Sequence, residues 1–168
     1  MAKTLCVCGN ILSNVEAPND VELNVYTGRQ WAEIAKMGMI DSLDIPGPTY
    51  DVWRCPECER VMVFDIRNDR TVNFYALESP PTKLPGMRCG CGHVHAINEP
   101  SSDWRLIVYT DIEWENEINV GEIGVPNINT ADIRPPSHDV WRCPECGRIS
   151  VYEPGQDVPV KVYVIEEG

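Results

Sequence analysis

All eight cysteines of the chain fall into four short pairs. The same frame occurs twice, and its members are Cys6, Cys8, Cys55 and Cys58, then Cys89, Cys91, Cys143 and Cys146. Four thiolates that arrive as two tight pairs suit a tetrahedral site with four sulfur ligands, because each pair on a turn presents two sulfurs to one ion about 2.3 Å away. The sequence therefore predicts two metal-bound modules.

The duplication extends well beyond the cysteines. Residues of the first half match residues 83 positions further on, and after a five-residue insertion in the second copy the offset becomes 88. The segment Asp51–Cys58 is identical to Asp139–Cys146. We expect one module over residues 1–79 and another over 87–168, joined by a stiff, proline-rich linker at 80–86. If the modules are independent units, replacing Cys143 should loosen the second one alone.

Length and composition indicate the class of protein. A module of about 80 residues gains only a few kcal/mol from its core, and metal binding would add to that stability. No stretch approaches the roughly 20 apolar residues of a membrane span, and the first residues lack the apolar run of a signal peptide. We therefore expect a cytoplasmic protein, in which reduced thiols bind metal. A secreted protein with four disulfides is the alternative.

The chain is strongly acidic. Its formal net charge is −12, with 12 acidic against 8 basic residues in positions 1–84 and 14 against 6 in the remainder. Each zinc ion with four thiolates adds about −2, so two such centres bring the total to about −16. Phosphate binding needs a basic face, which disfavours general nucleic-acid binding. The acidity serves either solubility or attraction to a basic protein partner.

Local patterns predict a mainly β fold with short helices, a small α+β class. Alternating apolar residues, such as Leu23 and Val25, indicate half-buried strands. Thr27 with Gln30, and Thr110 with Glu113, form capping boxes that should begin a short helix in each copy. Gly38 and Gly121 are expected to end these helices. A hairpin around the second cysteine pair and a last strand should then close each module.

The segment Cys143–Arg148, with the sequence Cys-Pro-Glu-Cys-Gly-Arg and Trp141 two residues before it, resembles the knuckle of zinc-ribbon and rubredoxin-like domains. The resemblance covers the eight cysteines and about a dozen residues around each second pair. It implies two duplicated zinc-ribbon-like modules in tandem. Two features depart from the pattern: the first pair has one intervening residue instead of two, and Glu59 stands where the second copy has Gly147.

Ligand type restricts the metal. Thiolate-only sites suit zinc or iron, and the one-residue spacing changes the wrapping found around a rubredoxin-like iron. We therefore expect two Zn²⁺ ions, with iron as the alternative. Four cysteine ligands leave no open position, so the ions should be structural.

Other candidate sites are weaker. The Cys-Pro-Glu-Cys motif could be a redox dithiol, but a redox motif needs no second cysteine pair at a matching distance in both copies. His93 and His95 have strand-like spacing and follow Cys91, so they could extend the metal site. Their aligned residues are Asn10 and Leu12, which favours a surface pair. His138 should lie at the entrance of a hairpin.

Four acidic residues are concentrated on and around the second helix: Asp111, Glu113, Glu115 and Glu117. This segment is the candidate surface for a basic partner, since the first helix carries one acid and one base. Four tryptophans are paired between the copies and should fill cores. Trp104 aligns with Val21 and is the tryptophan expected to be exposed.

These observations lead to one functional prediction. The chain is expected to be a non-catalytic zinc-binding protein that acts through protein–protein binding, as an inhibitor or immunity-type protein against a basic partner such as a nuclease. One alternative is a rubredoxin-like iron protein that transfers electrons. The other is a transcription-associated zinc ribbon that uses a local basic patch formed by Arg54, Arg60, Arg67 and Arg70.

Overall fold

The structure, a computed structural model, describes residues 3–65, 70–81, 83–95, 99, 101–118 and 127–166. The first repeat contains strands β1 (Lys3–Leu5), β2 (Ile11–Ser13), β3 (Glu22–Thr27), β4 (Met39–Ile40), β5 (Tyr50–Arg54), β6 (Val61–Asp65) and β7 (Arg70–Leu77), with helix α1 (Gly28–Ile34) after β3. The second contains β8 (Arg105–Thr110), β9 (Ile128–Asn129), β10 (Asp139–Arg142), β11 (Ile149–Tyr152) and β12 (Lys161–Ile165), with helix α2 (Asp111–Ile118) after β8. The elements follow the same order in both repeats.

Eight of these strands close into a single antiparallel barrel. Their order around the barrel is β10-β11-β12-β7-β6-β5-β3-β8. Two seams of the barrel join the repeats: β3 pairs with β8 over Leu23–Thr27, and β7 pairs with β12 through Tyr75, Ala76 and Leu77. The pairing of β4 with β9 also joins them. The short strand pairs β1–β2 and β4–β9 lie outside the barrel.

The predicted fold class, a small α+β protein of two duplicated zinc-ribbon-like modules, is therefore wrong. A module built only from the strands of the first repeat would be an open sheet in which the outer edges of β3 and β7 are unpaired, and open sheet edges are prone to pair with other strands. Each repeat satisfies these edges with the other repeat. The division into modules at residues 80–86 stays a prediction from the sequence.

Strand alternation separates an inner core from the packing outside the barrel. On β3, Leu23 and Val25 pack in the barrel core around Val52 and Tyr163, whereas Tyr26 belongs to the layer beneath the helices. Such alternation is expected where a strand has both faces covered. Two further cores cover the outer faces of the hairpins β5–β6 and β10–β11.

Both capping boxes are present. Thr27 Oγ1 accepts a hydrogen bond from Gln30 N at 3.2 Å, and the Gln30 side chain accepts from Thr27 N at 2.9 Å. Thr110 and Glu113 make the equivalent bonds at 3.1 and 2.8 Å. Gly38 does not end the first helix as predicted: α1 ends at Ile34 with Ala35 as its C-cap, and Gly38, with a positive φ of 70°, lies in the turn that follows. Gly121 lies outside the described residues.

Candidate metal centres

The first cysteine cluster forms where two hairpin turns meet. Cys6 and Cys8 lie on the turn between β1 and β2, in which Gly9 N donates to Cys6 O at 2.8 Å. Cys55 and Cys58 lie on the turn between β5 and β6, where Glu59 N donates to Cys55 O at 2.8 Å. The cluster therefore joins a small outer hairpin to the wall of the barrel.

The second cluster repeats this arrangement. Cys89 and Cys91 lie on a turn in which Gly92 N donates to Cys89 O at 2.8 Å, flanked by a bridge between Arg88 and Val94. Cys143 and Cys146 lie on the turn between β10 and β11. Because β6, β7, β12 and β11 are antiparallel in succession, the two hairpins with cysteine turns point in opposite directions along the barrel wall.

The sulfur positions fit a tetrahedral ion. In each cluster, all four sulfurs lie within 4.8 Å of one another. Two sulfur–sulfur distances in the first cluster are 3.5 Å for Cys6–Cys58 and 3.6 Å for Cys8–Cys55, and in the second Cys89–Cys146 and Cys91–Cys143 are each 3.5 Å apart. Ligands about 2.3 Å from a central ion stand about 3.8 Å apart in a tetrahedron. The predicted grouping of the eight cysteines into two sets therefore matches the geometry.

Each cluster has two fully buried sulfurs and one exposed residue. Cys55 and Cys143 are 0% and 1% exposed, whereas Cys8 and Cys91 are exposed. In the first cluster, Cys6 and Cys55 pack in one core with Trp53, which lies two positions before the second pair, and the counterpart Trp141 is 3% exposed. The predicted core role of these tryptophans is thus confirmed, and the first cysteine cluster is an extension of its hairpin core.

The thiols of a cluster differ in their tendency to ionise. Burial raises the pKa of Cys6 and of Cys89 to about 12. Burial opposes ionisation of Cys55 as well, but the backbone N–H groups of Cys58 and Glu57 lower its pKa to about 6. The backbone N–H of His93 lowers the pKa of Cys91 to about 7. Four thiolates therefore coexist in a cluster only when a cation balances their charge.

Each cysteine turn is held by charged residues of the other repeat. Arg60 forms a bidentate ion pair with Glu166 through Nε and Nη2, with contacts of 3.0 to 3.1 Å. Its Nη1 lies 4.0 Å from the sulfur of Cys58. Glu59 pairs with Lys161 at 2.6 Å. In the second repeat, Arg148 and Glu78 lie 3.8 Å apart. Arg60 and Arg148 are repeated positions of the sequence, as are Glu78 and Glu166, but the sequence does not show that they pair across the repeats.

The histidines near the second cluster are not the surface pair predicted from the sequence. His95 is 3% exposed and packs on Trp141 with ring centroids 5.8 Å apart, at the position that buried Leu12 occupies in the first repeat. Burial, followed by the charge of His93, lowers the pKa of His95 to about 4. Within the described residues, the donor atoms of the second cluster are the four cysteine sulfurs. His95 is therefore a neutral core residue.

The acidic residues proposed as a partner surface have several roles. Asp111 accepts hydrogen bonds from the backbone and side chain of Asn19 at 3.1 Å, and Glu113 caps α2. Glu117 pairs with Arg134 and its side chain is only 13% exposed. In the part of the chain that the structure describes, the carboxylate of Glu115 has no hydrogen bond or ion pair. Glu115 is thus the member of this set that is free to meet a partner.

The remaining candidates are also located. Arg60 is paired, Arg54 lines a cavity, and Arg67 and the side chain of Arg70 lie outside the described residues. Trp104 is 40% exposed, as predicted, and the guanidinium of Arg142 lies 5.5 Å from its ring centroid. His138 is exposed at the entrance of β10, as expected, and its Nδ1 lies 2.9 Å from Ser137 Oγ.

The fold and the site together define a closed antiparallel barrel with two four-cysteine clusters that suit metal ions. The chain belongs to the family described as Domain of unknown function (DUF8617), whose model matches residues 2–79 and 85–167. The two matched segments correspond to the two sequence repeats. Comparison with curated proteins and with solved structures finds no significant match. Among the described helices, none has the length and apolar character needed to span a membrane.

Proposed function

We propose that the chain is a non-catalytic zinc-binding protein in which two Zn²⁺ ions stabilise a barrel that binds a protein partner. The sulfur geometry carries the metal part of this proposal, because each cluster supplies four thiols at distances suited to one tetrahedral ion. Four thiolates satisfy zinc completely and leave no position for a substrate or a reactive water. A cytoplasmic location, where thiols stay reduced, suits these ligands.

The ions would act as cross-links. One would tie the turn of β1–β2 to the turn of β5–β6, and the other would tie the turn at Cys89 to that of β10–β11. The connections enclosed in this way are long, so fixing their ends removes much of the freedom of the unfolded chain. The resulting rigid barrel suits a binding scaffold.

Metal analysis of the purified protein is the test of the first part. We expect two zinc ions per chain by native mass spectrometry, because the two clusters are alike in ligand type and geometry. The protein should be colourless, because Zn²⁺ has a filled d shell. A visible absorption band from iron–thiolate charge transfer with bound iron would instead support the electron-transfer alternative. One ion per chain, or disulfides in protein prepared under reducing conditions, would contradict the assignment.

The net charge supports the second part of the proposal. At −12 before metal binding, the chain attracts basic surfaces and repels nucleic acid. Glu115 on α2 is the acidic side chain of the candidate surface that has no partner within the described residues. The equivalent helix α1 carries Glu33, which pairs with Lys36 at 2.6 Å. An inhibitor or immunity-type role against a basic protein fits this asymmetry.

Charge reversal tests the partner surface. We expect Glu115→Lys to slow association with a basic partner by about tenfold at low salt, because it removes an attractive charge and adds a repulsive one. Affinity capture from extracts of the source cells, followed by association kinetics at several salt concentrations, measures the effect. Glu33→Lys makes the same change on α1 and should leave association unaltered. Equal kinetics for both variants would mean that α2 is not the recognition surface.

A further inference from the structure

The interior of the barrel contains a cavity of about 170 Å³. Its walls are small aliphatic residues, among them Leu23, Val25, Val108, Val140 and Val151. Three of these, Leu23, Val25 and Val151, belong to the barrel core yet remain partly exposed. Eight strands enclose a space just wide enough for side chains or for one small ligand. Here the side chains leave part of the space unfilled.

The polar residues of the cavity are gathered towards one end. Arg54 N donates to Val21 O and Thr110 stands opposite Leu23, so Arg54 and Thr110 both flank the start of β3. Glu113 follows Thr110 and its carboxylate is bonded to the backbone and hydroxyl of Thr110 at 2.8 and 3.0 Å. The cavity is therefore apolar in its depth and charged at its mouth.

One cation at this mouth has no direct ion-pair partner, because the nearby carboxylate of Glu113 is bonded to Thr110. Lys161 is paired with Glu59 at 2.6 Å. Within the described residues, neither the guanidinium of Arg54 nor the hydroxyl of Tyr163 has a hydrogen-bond or ion-pair partner. Both line the cavity, and Arg54 is only partly exposed. A guanidinium and a phenol hydroxyl that both line the cavity and bond to no protein group in the described residues favour an anionic acceptor.

We propose that the barrel interior binds a small apolar carboxylate. Its hydrocarbon part lies among the valines, and its carboxylate accepts hydrogen bonds from Arg54 and Tyr163. A dry apolar cavity of about 150 Å³ holds benzene, so this one has room for roughly six to ten non-hydrogen atoms. Charge-assisted bonds between guanidinium and carboxylate are the strongest hydrogen bonds that the site can make.

The site occurs once although the chain is duplicated. Arg142 is the counterpart of Arg54, but it is exposed and lies over the ring of Trp104. Val21 occupies the position equivalent to Trp104 in the first repeat and provides no such aromatic surface. The two arginines therefore offer a matched comparison within one protein.

The test is a titration of the zinc-loaded full chain with hexanoate and, separately, with 1-hexanol, followed by methyl NMR of the cavity-lining valines. Both compounds should shift these methyl signals saturably, with hexanoate binding more tightly. Arg54→Gln should weaken hexanoate binding by about tenfold, the value of one charge-assisted hydrogen bond, and leave hexanol binding unchanged. Arg142→Gln should change neither.

A filled cavity provides the second comparison. Val151→Phe places a ring in the cavity and should abolish binding of both compounds, whereas Val63→Phe adds the same ring at the equivalent core position of the first repeat, outside the cavity lining, and should not. Zinc content and the backbone NMR spectrum confirm that each variant is folded. Absence of saturable binding, or binding that survives Val151→Phe, would overturn the proposal. If Arg54→Gln weakened the binding of hexanoate and of hexanol equally, the proposed contact between Arg54 and the carboxylate would be wrong.

Discussion

Replacing Cys143 by serine is expected to destabilise the barrel as a whole, by several kcal/mol, and not the second repeat alone. Structural zinc sites contribute on the order of 10–16 kcal/mol of apparent binding energy, whereas a domain is stable by only about 5–15 kcal/mol. Loss of one of the four thiolates weakens metal binding but leaves three ligands in place. The remaining stability must then be supplied by a barrel whose strands come from both repeats.

The shared seams explain why the effect should spread. β10 pairs with β11, and β11 pairs with β12. β12 in turn pairs with β7 of the first repeat. β10 also pairs with β8, which in turn pairs with β3. Unfolding of the second repeat would therefore expose both edges of the first. The sequence alone predicts independent units, and the closed barrel predicts one cooperative transition.

Hydrogen exchange distinguishes these expectations. In Cys143→Ser, amides of β5 and β6 should lose protection together with those of β10 and β11, and chelation of zinc from the unaltered chain should have the same result. Glu145→Ser is the matched control, since it changes an exposed residue of the same turn that is not a ligand. If β5 and β6 kept their protection while β10 and β11 lost it, the repeats would be independent after all.

Truncation of Tyr109 to alanine should lower the free energy of unfolding by about 3–5 kcal/mol, the usual cost of removing a buried aromatic ring. Tyr109 is 1% exposed, and its ring centroid lies 5.6 Å from that of Trp31 and 5.4 Å from that of Trp114. Tyr26, its counterpart in the first repeat, contacts the same two tryptophans. One aromatic cluster thus packs both helices on the β3–β8 seam.

The two tyrosines differ in their hydroxyl groups. Tyr109 Oη donates to the carbonyl oxygen of Arg134 at 2.7 Å, whereas the hydroxyl of Tyr26 has no partner in the described part of the chain. Tyr109→Phe should therefore cost about 1 kcal/mol, and Tyr26→Phe close to nothing. Urea unfolding of the three variants measures these differences. A loss below about 1 kcal/mol in Tyr109→Ala would show that the cluster contributes little to the seam.

The two cysteine clusters and the local structure were accessible from the sequence. Cysteine spacing identified both four-cysteine clusters because a tight turn keeps paired thiols together whatever the rest of the fold does. The capping boxes at Thr27 and Thr110 were equally clear, since the bonds link residues only three positions apart. Such features depend on neighbours along the chain.

The partners of the edge strands were decided by the tertiary structure. The alternation in β3 and in β7 is the same whether the neighbouring strand comes from the same repeat or from the other, so the pattern predicts a strand but not its partner. Barrel closure then created what the sequence does not reveal: the cross-repeat ion pair of Arg60 with Glu166, and the cavity beside Arg54. The burial of His95 was also decided by the tertiary structure. The spacing of His93 and His95 does not show that the hairpin carrying Trp141 covers His95.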